Sequence, residues 1–239
     1  MTSPLWLRAL QKTLSEHDRV SVFQLATFDS QSVPRARSQI YRTAITSKAH
    51  PSCPLLVSST DVRTPKVIEL TDNPLNASSD SEICWWIDKT SEQFRITSKT
   101  YVIPSPSHPF YAKFDWKASP GMKALVEEDK FDWEARRREI FESMSGHMKA
   151  SWLRPPPGSV MKGGYEESKK WEKTVPRWNE AQNDHEKALW ETAFGNFALM
   201  VMEPVRVDYL EMAIVPNRRR IFTREMDQGE SWTEEVVVP

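Results

Sequence analysis

The chain has 239 residues, with 32 Lys and Arg against 33 Asp and Glu and a formal net charge of −1, so it carries no global field that would draw a polyanion and nucleic acid is not an expected partner. Two cysteines, Cys53 and Cys84, are too few for a disulfide framework or a cysteine-rich zinc module. No apolar run nears the ~20 residues of a membrane-spanning helix, and a chain of this length buries enough surface, roughly 70–75%, to fold without a metal or disulfide.

No secretory signal opens the sequence. Trp6, Ala9, Leu10 and Leu14 recur at helical spacing between Arg8, Lys12 and Glu16. With two basic residues before Glu16, the segment reads as a folded amphipathic helix rather than a mitochondrial presequence, and the expected compartment is the cytoplasm. Residues 20–28 (VSVFQLATF) and 34–42 (PRARSQIYR) predict two strands joined by a hairpin connection, and residues 54–58 (PLLVS) a third. In residues 64–70 (TPKVIEL), Thr followed by Pro predicts a helix that Thr64 caps. Residues 83–88 (ICWWID) and 93–103 (QFRITSKTYVI) predict two more strands.

The middle of the chain changes character. Residues 104–109 (PSPSHP) read as a linker, residues 132–149 as a helix, residues 154–164 (RPPPGSVMKGG) as an exposed loop, and residues 185–193 as a short helix. Strand signals then return. Residues 197–202 (FALMVM) are continuously apolar, as in a strand buried on both faces, and residues 205–215 partly alternate. Residues 216–219 (PNRR) suggest a turn, with residues 220–224 and 232–238 as edge strands. The expectation is one antiparallel, mostly β domain over residues 1–239, Greek-key-like, split by a helical and loop-rich insertion at about 104–195.

The chemistry is defined first by what is missing. With 7 glycines against 17 prolines, no G-x-G-x-x-G and no G-x-x-x-x-G-K-[ST] is present, so side chains must do most of the holding of any phosphate. The five histidines lack metal-ligand spacing, no metal site is expected, and no nucleophile elbow or other catalytic group is recognisable. The unusual stretch is Ser58-Ser59-Thr60-Asp61-Val62-Arg63-Thr64-Pro65-Lys66, where hydroxyls, an arginine and a lysine gather between a strand and a helix. It suits an anion, and equally an ordinary capped helix start with Lys66 in solvent.

The order R-x-x-x-x-R (Arg37 to Arg42), then S-S-T-D-x-R-T-P-K, then Q-F-R-I, then R-x-x-x-R (Arg220 to Arg224) resembles the FMN-binding split-barrel superfamily. The closest likeness is to its pyridoxamine 5'-phosphate oxidase-like branch of fungi, plants and cyanobacteria. It touches residues 5–103 and 197–239, and W-x-x-P-P-P-G from Trp152 is similar to a segment of that branch. The resemblance implies a split β-barrel with FMN at a homodimer interface. Carried over by position, it implies Arg37 and Lys66 on the FMN phosphate, with Ser59, Thr60 and Thr64 donating hydroxyl hydrogen bonds. It implies the backbone of Gln39 and Ile40 along the flavin edge, Arg42 near flavin and substrate, Gln93 on the ring's polar edge, and Arg224 reaching the cofactor from the other subunit. Asp61 and Arg63 belong to the branch's own signature, read as an internal ion pair.

The substrate side departs from the pattern. Phe222 stands where the oxidases have a histidine two residues after the substrate arginine, and Leu210 where they have a tryptophan. The residues that grip a substrate phosphate find no counterparts in residues 134–151. The expected function is an FMN-dependent oxidoreductase for an unidentified small substrate, with Arg220 the candidate substrate arginine. A genuine pyridoxamine/pyridoxine 5'-phosphate oxidase and a non-catalytic flavin- or haem-binding protein are the alternatives. Trp152, Trp171, Trp178 and Trp190 are expected to anchor irregular loops on a core rather than to form a lid.

Overall fold

The computed structural model describes residues 3–17, 21–71, 79–225 and 231–239. Val20, the first residue of the first expected strand, lies outside them. Eight strands are formed among the described residues: β1 (Val22–Phe28), β2 (Pro34–Ile45), β3 (Leu55–Asp61), β4 (Ser79–Ile87), β5 (Glu92–Ile103), β6 (Phe197–Glu211), β7 (Arg218–Arg224) and β8 (Trp232–Val237). Their order is β3-β2-β1-β4-β5-β6-β7-β8, every pairing is antiparallel, and β3 also pairs with β6. That extra pairing closes six strands into a barrel, leaving β7 and β8 as an extension. The order β3-β2-β1-β4 is a Greek key.

The helices are α1 (Leu5–Glu16), α2 (Pro65–Thr71), α3 (Pro120–Glu127), α4 (Trp133–Glu142), α5 (Gly146–Ala150) and α6 (Asp184–Asn196). The single helix expected over residues 132–149 is two, each opened by its own cap: α4 ends at Glu142 and α5 begins at Gly146. Asp132 accepts from the amides of Glu134 and Ala135, and Ser145 accepts from that of Met148. No helix among the described residues is long and apolar enough to cross a membrane.

β6 organises two cores because its alternate side chains enter different layers. Ala198, Met200 and Met202 join Trp6, Phe23, Leu25, Trp85 and Phe94 inside the barrel. Phe197, Leu199 and Val201 face the helical layer, where Phe141 packs against Trp152, Trp190, Phe194 and Phe197 at centroid separations of 5.2–6.0 Å. That double burial explains the continuous apolar run. The sequence suggested two strands over residues 197–215, and the structure makes one ending at Glu211. Pro204, which has no N–H to give, falls between the stretch paired with β3, through Met202, and the stretch paired with β7, from Arg206. The turn expected at 216–219 is shorter, since β7 already begins at Arg218.

Candidate functional site

A cavity of about 480 Å³ opens between the outer side of β2 and β3 and the chain that follows α5. Ser38, Gln39, Ile40 and Arg42 contribute from β2, Ser59, Thr60 and Asp61 from β3, and Lys66 from α2. Arg42 reaches the cavity at an irregularity of β2, where the register against β3 shifts between Tyr41 and Thr43. Its Nε donates to Ser59 Oγ at 3.1 Å and its Nη2 lies 3.8 Å from Met144 Sδ, so its side-chain partners among the described residues are neutral, and burial pushes its pKa down. Gln39 turns its side chain into the barrel, accepting from Ser58 Oγ at 3.3 Å, and leaves its backbone to the cavity edge.

The segment from Ser58 to Lys66 is more than a capped helix start. The Thr64 hydroxyl donates to the Asp61 carbonyl at 2.8 Å and lies 3.3 Å from Thr60 Oγ1, which ties the start of α2 back to the end of β3. Lys66 is half-buried rather than solvated, and its Nζ donates to Thr64 Oγ1 at 3.3 Å. Burial, aided by the nearby Arg37 charge, pushes its pKa down to about 8. The fold therefore binds this proton less tightly than the unfolded chain, so the charged lysine costs stability below about pH 8 and that cost is relieved as pH rises towards 10.5.

Asp61 and Arg63 do form an internal pair, with Nη2 and Oδ2 at 2.6 Å and Nε and Oδ1 at 2.9 Å. The same guanidinium grips the Trp152 carbonyl at 3.1 Å, a carbonyl also held by Asn196 Nδ2 at 2.8 Å, while Trp152 Nε1 donates to the Thr60 carbonyl at 3.2 Å. This clamp fixes the far wall of the cavity, made of Met148, Trp152, Pro155–Pro157, Met161 and Trp171. Trp152 thus both anchors its loop and lines the cavity. The W-x-x-P-P-P-G motif was the signal for this wall, although it gave no means of placing it against β3.

Five expected site residues lie outside the cavity lining: Thr64, buried behind Thr60 and Lys66, and four others. Arg37 shares a face with Leu25, its cross-strand partner, and points to the barrel end under α2, where Nη2 meets Glu69 Oε2 at 3.0 Å. It remains close enough to Lys66 for the charges to interact. Gln93 stands on the outer face of β5 beside exposed Trp86 and donates to Cys84 Sγ at 3.3 Å. Arg220 occupies a different groove, alongside α1, where it pairs with Glu211 at 2.9 Å and Glu234 at 3.6 Å and lies over the Tyr209 ring. Arg224 is enclosed. Its side chain and that of Glu203 are each 1% exposed and meet at 3.0 Å, so within this chain it has no free face to offer a cofactor. Strand parity explains both C-terminal outcomes: Arg220, Phe222 and Arg224 share the inward side of β7, while Arg219 on the opposite side pairs with Asp208.

Comparison with known proteins gives a consistent result. Residues 3–104 match the family model described as pyridoxamine 5'-phosphate oxidase, FMN-binding domain. The chain is 26% identical over 224 residues to pyridoxine/pyridoxamine 5'-phosphate oxidase 2 of Arabidopsis thaliana, covering 92% of this chain and 87% of that protein. Among solved structures it resembles a pyridoxamine 5'-phosphate oxidase-related, FMN-binding protein of Nostoc punctiforme, with a TM-score of 0.68, 21% identity and full coverage of both chains. It also resembles PhzG of Burkholderia lata, with a TM-score of 0.60, 13% identity, and coverage of 100% of this chain and 94% of that one. The closed six-stranded barrel is thus the fold of the FMN-binding split-barrel proteins, and the domain matched over residues 3–104, with a relative of almost equal extent, makes the chain pyridoxamine 5'-phosphate oxidase-like.

Proposed function

We propose that residues 1–239 act as one FMN-binding unit, working as a homodimer, and that the protein is an FMN-dependent oxidoreductase for a small substrate other than a vitamin B6 phosphate. The observation that carries this reading is Lys66, a half-buried ammonium at the cavity with a hydroxyl as its hydrogen-bond partner and a depressed pKa. A phosphate there would supply the counter-charge, in a cavity whose size suits a small ligand. Lys66, Thr64, Thr60 and Ser59 would hold the phosphate, with Arg37 adding charge from behind, and the backbone of Gln39 and Ile40 would border the ring. When bound, FMN supplies hydride transfer. The chain's own part is to bind and orient: Arg42, with no carboxylate partner among the described residues, is available to an anionic group, and the Trp152–Trp171 wall borders the cavity on one side.

Two observations support a substrate outside the B6 phosphates. Phe222, at the position of the oxidase histidine, is 2% exposed within the core, and Arg220 is committed to two glutamates in another groove. The homodimer is supported by the outer face of β1, β2 and β4, which carries Val22, Ala26, Ala36 and a Trp86 that is 45% exposed. Gln93 lies beside Trp86 on that sheet.

The test is the absorption spectrum of the purified protein, recorded again after FMN addition and removal of unbound ligand, together with its mass in solution. Bands near ~370 and ~450 nm on a dimer are expected. A sharp band near ~400 nm would assign haem instead, and a colourless monomer that ignores FMN would remove the reading.

A pH profile follows from Lys66. FMN affinity is expected to fall as pH rises through about 8, where the ammonium loses its proton. It is also expected to fall below about pH 6, where the phosphate gains one. Fluorescence titrations between pH 5.5 and 9.5 check this, and an affinity that stays flat above pH 7 would place the phosphate elsewhere.

A further inference from the structure

Arg37 is already engaged by groups of its own chain. Its Nη1 donates to Thr27 Oγ1 at 2.5 Å and to the Arg35 carbonyl at 2.7 Å, while Nη2 lies 3.0 Å from Glu69 Oε2. Thr27 Oγ1 in turn donates to the same carboxylate oxygen at 2.6 Å, closing a three-membered network. The pair is sheltered, with side-chain exposures of 23% and 12%, so little solvent screens it.

Glu69 also stands three residues after Lys66 on α2, one turn along the helix, and Lys66 feels its charge. The groups facing this corner can be summed. Lys66 and Arg37 are positive, as is Arg42 on Ser59, and Glu69 is negative, while Asp61 is balanced by Arg63. The corner therefore carries two net positive charges with Glu69 in place and would carry three without it.

We propose that Glu69 is a built-in competitor for the cofactor phosphate: it occupies the Arg37 guanidinium and lowers the charge of the phosphate corner, so that FMN is held less tightly than the cations of that corner would hold it alone. The inference rests on the FMN reading above and concerns how tightly that corner holds the phosphate.

The experiment compares wild type with Glu69→Gln, whose amide oxygen can still accept from Thr27 and Arg37 but carries no charge. FMN and riboflavin are titrated into each, followed by flavin fluorescence, with a melting curve for each protein. The expected result is FMN binding about tenfold tighter in the variant, riboflavin binding unchanged within about twofold. FMN affinity that is unchanged or weaker, with riboflavin unaffected, would overturn the proposal and leave Glu69 as a residue that positions Arg37. Equal tightening for both flavins would overturn it too, because the effect would not depend on the phosphate. If Glu69→Gln does not fold, Glu69→Leu removes the same charge and is read in the same way. If neither protein binds either flavin, the cofactor reading itself fails. Competition is then judged on inorganic phosphate: a larger thermal shift in the variant than in wild type supports it, and equal shifts refute it.

Discussion

Lys66→Ala is expected to raise the FMN dissociation constant by about 10- to 100-fold, because a hydrogen bond to a charged group contributes about 1.5–3 kcal/mol. The ammonium lines the cavity, and its hydrogen-bond partner there is the Thr64 hydroxyl, so its charge is available to a ligand. Arg37→Ala is expected to weaken binding less, since Glu69 already shares that guanidinium. Together the two changes amount to several kcal/mol. Lys66→Arg, which keeps the charge with a different reach, should retain most of the affinity. Equilibrium titration followed by fluorescence reads all four proteins, and an unchanged FMN constant in Lys66→Ala would show that the phosphate does not lie between β3 and α2.

The largest effect on stability is expected from Arg224→Met. The arginine and Glu203 are both sealed from solvent, and Glu203 Oε1 also accepts from the Gly121 amide at 3.0 Å. Removing one partner of such a pair costs about 3–5 kcal/mol, because a carboxylate stays buried without its counter-charge. For a chain of this size that corresponds to a fall in melting temperature of about 10 °C. A double variant, Arg224→Met with Glu203→Gln, should recover part of the loss, since no charge then remains to be compensated. Thermal melts of the flavin-free protein measure this. A melting temperature within 2 °C or so of wild type would mean the pair is dispensable, and would return Arg224 to the cofactor-contacting role that its place in the R-x-x-x-R motif implies.

The strands were legible because their signals are local. Alternation over residues 93–103 and the apolar run at 197–202 each depend on which face a side chain meets, and the barrel supplies those faces as the pattern implies. Boundaries shifted where a long-range event decides them. β3 continues to Asp61 because β6 offers it partners through Phe197, and nothing in residues 59–61 announces that distant edge. The candidate site divides in the same way. Ser59, Thr60, Thr64 and Lys66 sit close together in sequence, and the structure keeps them together. Arg37 met a carboxylate 32 residues away that no motif flagged, and Arg224 found Glu203 through the pairing of β6 with the extension. The wall of the cavity was the least readable part. Trp152 and Pro155–Pro157 lie in the stretch between β5 and β6, whose position against β3 is set by the carbonyl clamp of Arg63 and Asn196.

The seam between β3 and β6 has a kinetic meaning. Thr60 pairs with Ala198 and Asp61 with Phe197, so the barrel closes only when parts of the chain far apart in sequence come together. Bringing such distant segments together carries a loop-closure entropy that no local contact offsets in advance, and topologies of this kind fold slowly. The floor of the cavity, on β2 and β3, can be assembled early by hairpin pairing. Its far wall is tied to that floor through Thr60, Arg63 and Asn196, the last of which directly precedes the seam. The pocket is thus completed in the same event that seals the barrel, and a nascent chain cannot hold both of its walls in place until synthesis has passed Phe197.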